Sequence, residues 1–191
     1  MKIAIVGAEE DKWKLEQKEQ AKNIVETLLA KHAFRETIKE LPYSSTSMEI
    51  DWSKIVLVSG GCPEGGVDIW AEEIADKLGI SKEIYKPEVN QWDDEVHKIP
   101  FNKDEVEKHN IDISGLKFDG YYYYQVYKRK GYKSRNIQIA EACDVLYCIV
   151  PHVPLAKCKH CGEKGHPSNG GCWTMKYAKK LGKEVYRVII E

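Results

Sequence analysis

The sequence has no apolar run that approaches the roughly 20 residues of a membrane span. It also has almost no net charge, because 29 basic and 30 acidic residues leave a formal charge of −1. Such a balance provides no overall field that would attract nucleic acid or a membrane surface, although a local basic patch is compatible with it. There is no internal repeat, and a run of tyrosines is the one segment of low complexity. These absences predict a globular, cytoplasmic protein with no membrane partner.

The first apolar run, residues 2–6, is too short for the core of a signal peptide, and we expect it to be a first strand. Six cysteines in a cytoplasmic protein should be reduced, so a cluster of them predicts a metal site rather than disulfides. A chain of 191 residues, 42% of them hydrophobic, can bury one core. We therefore expect a single domain over residues 1–191, with insertions at residues 88–133 and 151–172.

Residues 59–70, Ser-Gly-Gly-Cys-Pro-Glu-Gly-Gly-Val-Asp-Ile-Trp, form the most informative stretch. A short β-branched run precedes them, and apolar residues at helical spacing follow, which predicts a strand, a glycine-rich turn and a helix. Glycines let a ligand approach main-chain N–H groups, and the N-terminus of a helix favours an anion. The stretch is not a Walker loop, because no Lys-Ser or Lys-Thr follows the last glycine. A tight connection without a ligand is the alternative.

The same pattern of strand, turn and helix continues along the chain. Strands are predicted at residues 2–6, 54–58, 83–85, 144–150 and 184–190, and helices at residues 12–32, 66–78, 135–143 and from Gly170-Gly171 to about Gly182. Alternation of this kind predicts an α/β protein with a parallel sheet. We expect a Rossmann-like, three-layer α/β/α fold with a mainly parallel five-stranded sheet.

Several turns between these elements should meet at one edge of the sheet. In open parallel sheets, ligands bind beyond the carboxyl ends of the strands, where the strand order reverses. Arg135 at a helix start can hold a phosphate with two hydrogen bonds, and Asp68 can accept one from a ribose hydroxyl. The alternatives are an Arg135 that simply lies on the surface and an Asp68 that is favoured by the helix dipole.

Three cysteines and a histidine lie within fifteen residues, at the spacing C-x2-C-x4-H-x5-C. They are Cys158, Cys161, His166 and Cys172. Three thiolates and one imidazole make a closed tetrahedral set, which is typical of structural zinc. His160 is the alternative to His166, and free cysteines in a loop are the alternative to a metal site. The remaining cysteines, Cys62, Cys143 and Cys148, are expected in a turn, a helix and a strand rather than at the metal.

The metal segment resembles a retroviral-type zinc knuckle, with a last spacer one residue longer. Knuckles of that kind bind single-stranded nucleic acid through apolar or aromatic residues inside the ligand loop. The intervening residues here are mostly polar or charged, and Cys172 opens the last helix. We therefore expect the zinc to fasten the insertion to that helix.

Residues 121–127, Tyr-Tyr-Tyr-Tyr-Gln-Val-Tyr, are followed by the basic residues 128–130 within the longer insertion. Aromatic side chains beside a basic cluster can stack on bases. The favoured interpretation is an edge hairpin with half of its tyrosines packed. A wall or lid that this insertion forms over the ligand is the more modest functional alternative.

Three segments together resemble the SLOG superfamily of Rossmann-like domains. They are Ser59-Gly-Gly-x4-Gly-Val-Asp-x-x-Ala71, Arg135-Asn-x-x-Ile-Ala140 and the strand from Asp144. This group includes DprA-type DNA-processing proteins, LOG enzymes and YspA-type proteins. The resemblance covers the sheet and helices without the two insertions. It implies a nucleotide or nucleotide-derived ligand, such as a nucleoside phosphate or an ADP-ribose-like molecule. The implied ligand-binding residues are Gly7, Ala8, Ser59, Gly60, Gly61, Gly66, Asp68, Arg135, Asn136, Gly170, Gly171 and Thr174.

One departure from that superfamily concerns activity. LOG enzymes carry a catalytic glutamate in the last glycine motif, where this chain has Tyr177. Their hydrolysis of an N-glycosidic bond is therefore not implied here. If the protein hydrolyses a nucleotide, Asp68 and Glu64 are the candidate catalytic carboxylates.

The sequence therefore leaves three functions open. The first is binding of a nucleotide-type ligand at the glycine turns, with a structural zinc. The second is hydrolysis of an N-glycosidic or phosphoester bond in such a ligand. The third is binding of single-stranded nucleic acid through the knuckle and the tyrosine-rich insertion. A homo-oligomer is possible with each.

Overall fold

The computed structural model describes residues 1–40, 49–86, 94–114, 116–118, 120–128 and 132–191. The chain forms two compact units. The first consists of Met1–Lys86 and Arg135–Glu191, and the second of Pro87–Ser134. The second unit covers nearly the same range as the insertion that the sequence sets apart, and the assignment of the whole chain to one domain stays a prediction.

The first unit is built on one parallel sheet. Its strands are β1 (Lys2–Gly7), β2 (Val56–Ser59), β3 (Ser81–Ile84), β7 (Val145–Pro151) and β10 (Glu184–Ile190). They lie in the order β10-β7-β1-β2-β3, and every neighbouring pair is parallel. The chain thus runs outward from β1 in one direction and then returns to build the other half, which puts the topological switch between β1 and β7. The predicted α/β fold with a five-stranded parallel sheet is confirmed.

Helices cover both faces of this sheet. They are α1 (Leu15–Ile38), α2 (Val67–Leu78), α4 (Tyr132–Ala142) and α5 (Gly170–Lys180). Alternate residues of β1 enter two separate cores, since Ile3 and Ile5 pack with α1 and α2 while Ala4 and Val6 pack with α4 and α5. The result is the three-layer arrangement that the sequence predicts.

Some element boundaries differ from the prediction. Helix α1 starts three residues later, after a 3₁₀ turn at Glu10–Lys12, and continues to Ile38. The side chain of Gln17 accepts a hydrogen bond from the Lys14 N–H and so fixes this start. Helix α4 spans Tyr132–Ala142 and so begins three residues before the predicted start at residue 135.

The second unit contains β4 (Asp94–Asn102), α3 (Lys103–His109), β5 (Lys117–Phe118) and β6 (Tyr122–Lys128). Its three strands form an antiparallel sheet in the order β4-β6-β5. The tyrosine-rich strand β6 is therefore central in this sheet, and the prediction of an edge hairpin is wrong. Residues 129 and 130 of the basic cluster lie outside the described residues.

The second predicted insertion carries a hairpin of β8 (Val153–Lys157) and β9 (Lys164–Gly165). Cys158 and Cys161 lie in the loop between these two strands, His166 directly follows β9, and Cys172 is the third residue of α5. Over the residues that the structure describes, no helix has both the length and the apolar character needed to cross a bilayer.

Candidate functional site

A small cleft opens where β1 ends, at the topological switch of the sheet. It has a volume of about 30 Å³, enough for about two water molecules or one group of similar size. Most of the residues that the sequence singles out for ligand binding meet here. The lining residues are Val6, Gly7, Ala8, Glu9, Cys62, Gly65, Asp68, Arg135, Asn136, Gly170, Gly171 and Thr174.

Around the cleft, three backbone segments approach one another very closely. A Cβ atom on Gly171 would lie 2.9 Å from the Gly7 nitrogen. A Cβ atom on Gly66 would lie 2.4 Å from the Ala8 carbonyl oxygen, and Gly66 has a φ of +92°. Side chains are thus excluded at both positions. The glycines bring the start of α2 and the start of α5 against the end of β1.

Asp68 and Arg135 face each other across Gly60. A Cβ atom on Gly60 would lie 2.9 Å from the Asp68 carboxylate and 3.0 Å from Arg135 Nε. Both side chains are more than nine-tenths buried. Burial raises the pKa of the Asp68 carboxyl to about 6, although the Arg135 charge and the Gly7 N–H oppose the rise. The guanidinium of Arg135 also donates to the Gly60 carbonyl oxygen and to Asn136 Oδ1.

Four of the predicted ligand-binding residues are not among those that line the cleft. These are Ser59, Gly60, Gly61 and Gly66. The Ser59 hydroxyl donates to Glu72, and the Gly61 N–H donates to the same carboxylate at 3.1 Å. Glu72 therefore accepts hydrogen bonds from two groups of the turn that the sequence predicts to contact a ligand. Their role as ligand-binding residues stays a prediction.

Acidic groups balance the basic charge around the cleft. Glu9 lines it and is paired with Lys12, whose ammonium group also donates to the Ser168 carbonyl oxygen at 3.3 Å. Glu64, the other candidate catalytic carboxylate, accepts a hydrogen bond from the Cys62 thiol at 3.4 Å. Burial raises the pKa of that thiol to about 11, so Cys62 is neutral at pH 7. Val6, Glu9, Cys62 and Gly65 also line the cleft but were not predicted to do so, although Cys62 and Gly65 lie in the glycine-rich turn.

The cysteines and histidine of the second insertion form one cluster, as their spacing predicts. One donor atom from each of Cys158, Cys161, His166 and Cys172 lies within 4.8 Å of all the others. Three of the four side chains are buried, and Cys161 is half-buried. Four donors at such separations can surround a single ion in a tetrahedral arrangement. The cluster can therefore hold a metal ion.

Hydrogen bonds around the cluster orient its donors. His166 Nδ1 lies 3.0 Å from the Pro167 carbonyl oxygen, so the Nδ1–H donates there and Nε2 is available as a metal ligand. Asn169 caps α5 by accepting from the Cys172 N–H at 2.9 Å, and its amide also donates to Cys172 Sγ at 3.6 Å. The cluster and the start of α5 are thus held by the same residue.

The thiols of the cluster differ in acidity. Burial raises the pKa of the Cys158 thiol, but hydrogen bonds from the N–H groups of Cys161 and His160 and with the Cys161 and Cys172 side chains together lower it by more. The pKa of Cys158 therefore lies below the ordinary value. Burial raises the pKa of Cys161 to about 11. A hydrogen bond with Cys148 and burial together raise the pKa of Cys172. A bound cation would favour the thiolate form of all three.

Cys148 is a neighbour of this cluster that sequence spacing does not identify. Its sulfur, on the buried strand β7, lies 3.8 Å from Cys172 Sγ. Only the packing of α5 on the sheet brings these two residues together, and they are 24 positions apart in the chain. Alternation along β7 predicts which face Cys148 occupies but not its partner.

Comparisons with known proteins return no matching family model and no matching curated protein. Two solved structures are similar. An X-ray structure of DNA processing protein A from Streptococcus pneumoniae has 14% identity and a TM-score of 0.47, over 97% of this chain and 49% of that chain. A structure of DNA processing protein A from Helicobacter pylori, which concerns its single-stranded DNA binding mode, has 17% identity and a TM-score of 0.46, over 98% and 64%. The chain thus spans about half of the first and under two thirds of the second.

Proposed function

We propose that the cleft at the end of β1 binds a phosphate group of a nucleotide-type ligand. The observation that supports this most strongly is the meeting of two glycine turns at the topological switch point. The first N–H groups of a helix have no acceptor within the helix, and Gly170 and Gly171 are the first two residues of α5. Both line the cleft. An oxyanion there would also be favoured by the dipole of α5.

The size and charge of the cleft define what it can accept. Its volume of about 30 Å³ fits a phosphate-sized group, so the sugar and base would lie at its mouth. Asp68 offsets the charge of Arg135, and Glu9 is paired with Lys12, so main-chain donors rather than net charge would supply the attraction. We therefore expect a modest affinity for inorganic phosphate and a higher one for a nucleotide that adds contacts outside the cleft.

We further propose that the metal of the Cys/His cluster is zinc with a structural role. Three thiolates and one imidazole form a closed set that favours zinc over harder cations. The four donors come from the inserted segment and from the first turn of α5. Bound zinc would hold that turn, and with it the Gly170 side of the cleft, in place.

A thermal-shift screen of the zinc-loaded protein tests the nucleotide proposal. Nucleoside monophosphates, nucleoside diphosphates, dinucleotides and ADP-ribose are compared, and a saturable rise in melting temperature is expected for at least one class. Gly170→Ala is the matched variant. A Cβ atom there lies 3.5 Å from Asn136 Nδ2, an ordinary contact, yet it occupies the cleft. Ligand stabilisation should disappear in this variant, although the melting temperature of the variant without ligand changes little.

Hydrolysis of the bound ligand is an alternative that one observation favours. Asp68 is a buried carboxyl in the cleft whose pKa of about 6 suits a general acid or base near neutral pH. Release of free base or phosphate from a nucleoside phosphate, abolished in Asp68→Asn, would establish this activity. Binding without product release would leave the protein a sensor or carrier.

Single-stranded nucleic acid is the second candidate ligand. The H. pylori protein described above is a single-stranded DNA binder. For this chain the proposal depends on its own surface, where an aromatic and basic groove lies beside the metal cluster. Cytoplasmic location and a homo-oligomeric state stay predictions from the sequence.

A further inference from the structure

A second depression lies between the cysteine-rich segment and the outer face of α5. Its volume is about 250 Å³. Two of its lining residues belong to the loop between Cys158 and Cys161, and the other four belong to α5. They are Lys159, His160, Trp173, Lys176, Tyr177 and Lys180. We refer to these six residues as the knuckle groove, and none of them lines the cleft at the end of β1.

The aromatic side chains of the knuckle groove form a parallel pair. The rings of Trp173 and Tyr177 are one helical turn apart, with centroids 5.4 Å apart and an angle of 7° between their planes. Both residues are half-buried, so part of each ring faces solvent. Tyrosine and tryptophan in this position offer an apolar surface on which a planar group can stack.

The remaining side chains give the knuckle groove a positive charge. The three lysines carry the charge, and no carboxylate is among the six lining residues. A stacking surface bordered by ammonium groups matches a ligand that carries both planar rings and negative charges.

We infer that the knuckle groove binds a single-stranded nucleic acid. A base stacks on the Trp173–Tyr177 pair, while the backbone phosphates lie along Lys159, Lys176 and Lys180. Base stacking on aromatic side chains tolerates any sequence, so the groove recognises a single strand rather than a particular sequence. This inference rests on the second candidate function and deepens it, because it names the groove and the residues that would bind the single strand. None of these residues lines the phosphate cleft.

The Cys/His cluster positions two residues of this groove. Lys159 and His160 lie between the two predicted ligands Cys158 and Cys161, and Lys176 Nζ donates to the His160 carbonyl oxygen at 3.5 Å. The position of Lys159 and His160 against α5 therefore depends on the fold of the loop. Loss of the metal should weaken nucleic-acid binding even when the helix itself persists.

Fluorescence anisotropy with a labelled oligothymidylate of about 12 nucleotides tests the inference on the zinc-loaded full chain. Trp173→Ala should weaken binding by about 5- to 150-fold, and Trp173→Phe should restore much of it. Lys176→Ala and Lys180→Ala should each weaken binding and reduce the slope of log K against log salt by about 0.7. Lys179→Ala is the matched control, since Lys179 is exposed on the same helix but does not line the groove.

Three results would overturn the inference. The first is oligonucleotide binding that is unchanged in Lys176→Ala and Lys180→Ala, which are exposed positions where folding is not at risk. The second is an equal loss in Lys179→Ala, which would indicate attraction by charge alone. The third is no binding of the oligonucleotide at low salt. Nucleotide stabilisation measured on the same lysine variants should be unchanged, so failure at the groove is distinguished from failure at the cleft.

Discussion

Gly171 lies directly on the backbone of Gly7. A side chain on Gly171 would place its Cβ atom 2.9 Å from the Gly7 nitrogen and 3.0 Å from the Gly7 Cα. This contact joins the first turn of α5 to the end of β1, two segments that are separated by most of the chain. It brings the two glycine turns to one cleft, and the proposed ligand site depends on it.

We predict that Gly171→Ala destabilises the protein by about 1–3 kcal/mol, because its methyl group meets backbone atoms that cannot rotate away. Gly170→Ala should change the free energy of unfolding by less than about 1 kcal/mol, since its Cβ has only an ordinary contact 3.5 Å away. Urea unfolding of both variants measures the difference. Equal free energies of unfolding for the two variants would show that Gly171 is not in close contact with the backbone of β1.

The carboxyl of Asp68 should make stability depend on pH. Burial raises its pKa from 3.8 to about 6 in the folded protein, so between about pH 4 and 6 the folded chain keeps a proton that the unfolded chain releases. The contribution of the protonated Asp68 carboxyl to the free energy of unfolding is therefore fully present below about pH 4 and is lost as the pH rises through 6. The loss amounts to about 3 kcal/mol.

Asp68→Asn isolates this contribution, because asparagine does not titrate and all other groups are shared. The free energy of unfolding of the wild type, measured relative to Asp68→Asn, should fall as the pH is raised from about 4 to 7. Parallel pH profiles for the two proteins would contradict the raised pKa.

Metal analysis should find about one equivalent of zinc in protein purified without chelators. Cys161→Ser should reduce the content below about half an equivalent, since a hydroxyl is a poor replacement for a thiolate ligand. Cys62→Ser is the control, because Cys62 is outside the Cys/His cluster. Equal metal contents in the two variants would show that the four residues are not the ligands.

Asn169 offers a separate test of the surroundings of the metal. Asn169→Asp keeps the side-chain oxygen that accepts from the Cys172 N–H but removes the amide that donates to Cys172 Sγ. Zinc affinity, measured by competition with a chromogenic chelator, should fall by about 10- to 100-fold. Asn169→Ala should in addition lose about 1 kcal/mol of stability with the helix cap. An unchanged zinc affinity in the aspartate variant would show that the amide does not support the site.

Much of the fold was predictable because its signals are local. Strands β7 and β10 are continuous apolar or alternating runs, and the turn at residues 59–66 contains the glycines that a tight connection needs. The Cys/His cluster was predictable for the same reason, since its four donor residues lie within fifteen positions of the chain. In each case the pattern and the structure involve the same short segment.

The remainder depends on contacts between distant segments, which no spacing reveals. Glu72 accepts hydrogen bonds from the Ser59 hydroxyl and the Gly61 N–H, because α2 packs beside the turn that precedes it. Cys148 reaches Cys172 only through the packing of α5 on the sheet. The tyrosine run resembled an edge strand, yet β6 lies between two partners, because strands with similar side-chain patterns can occupy either position.

The most direct test of the phosphate cleft is to follow its main-chain N–H groups during a titration. In zinc-loaded protein labelled with ¹⁵N, the amide signals of Gly170 and Gly171 should shift saturably as a nucleoside diphosphate is added, and they should remain unshifted with the free nucleoside. Saturable binding that leaves both glycine signals unchanged, or no binding of any nucleotide, would contradict the proposal.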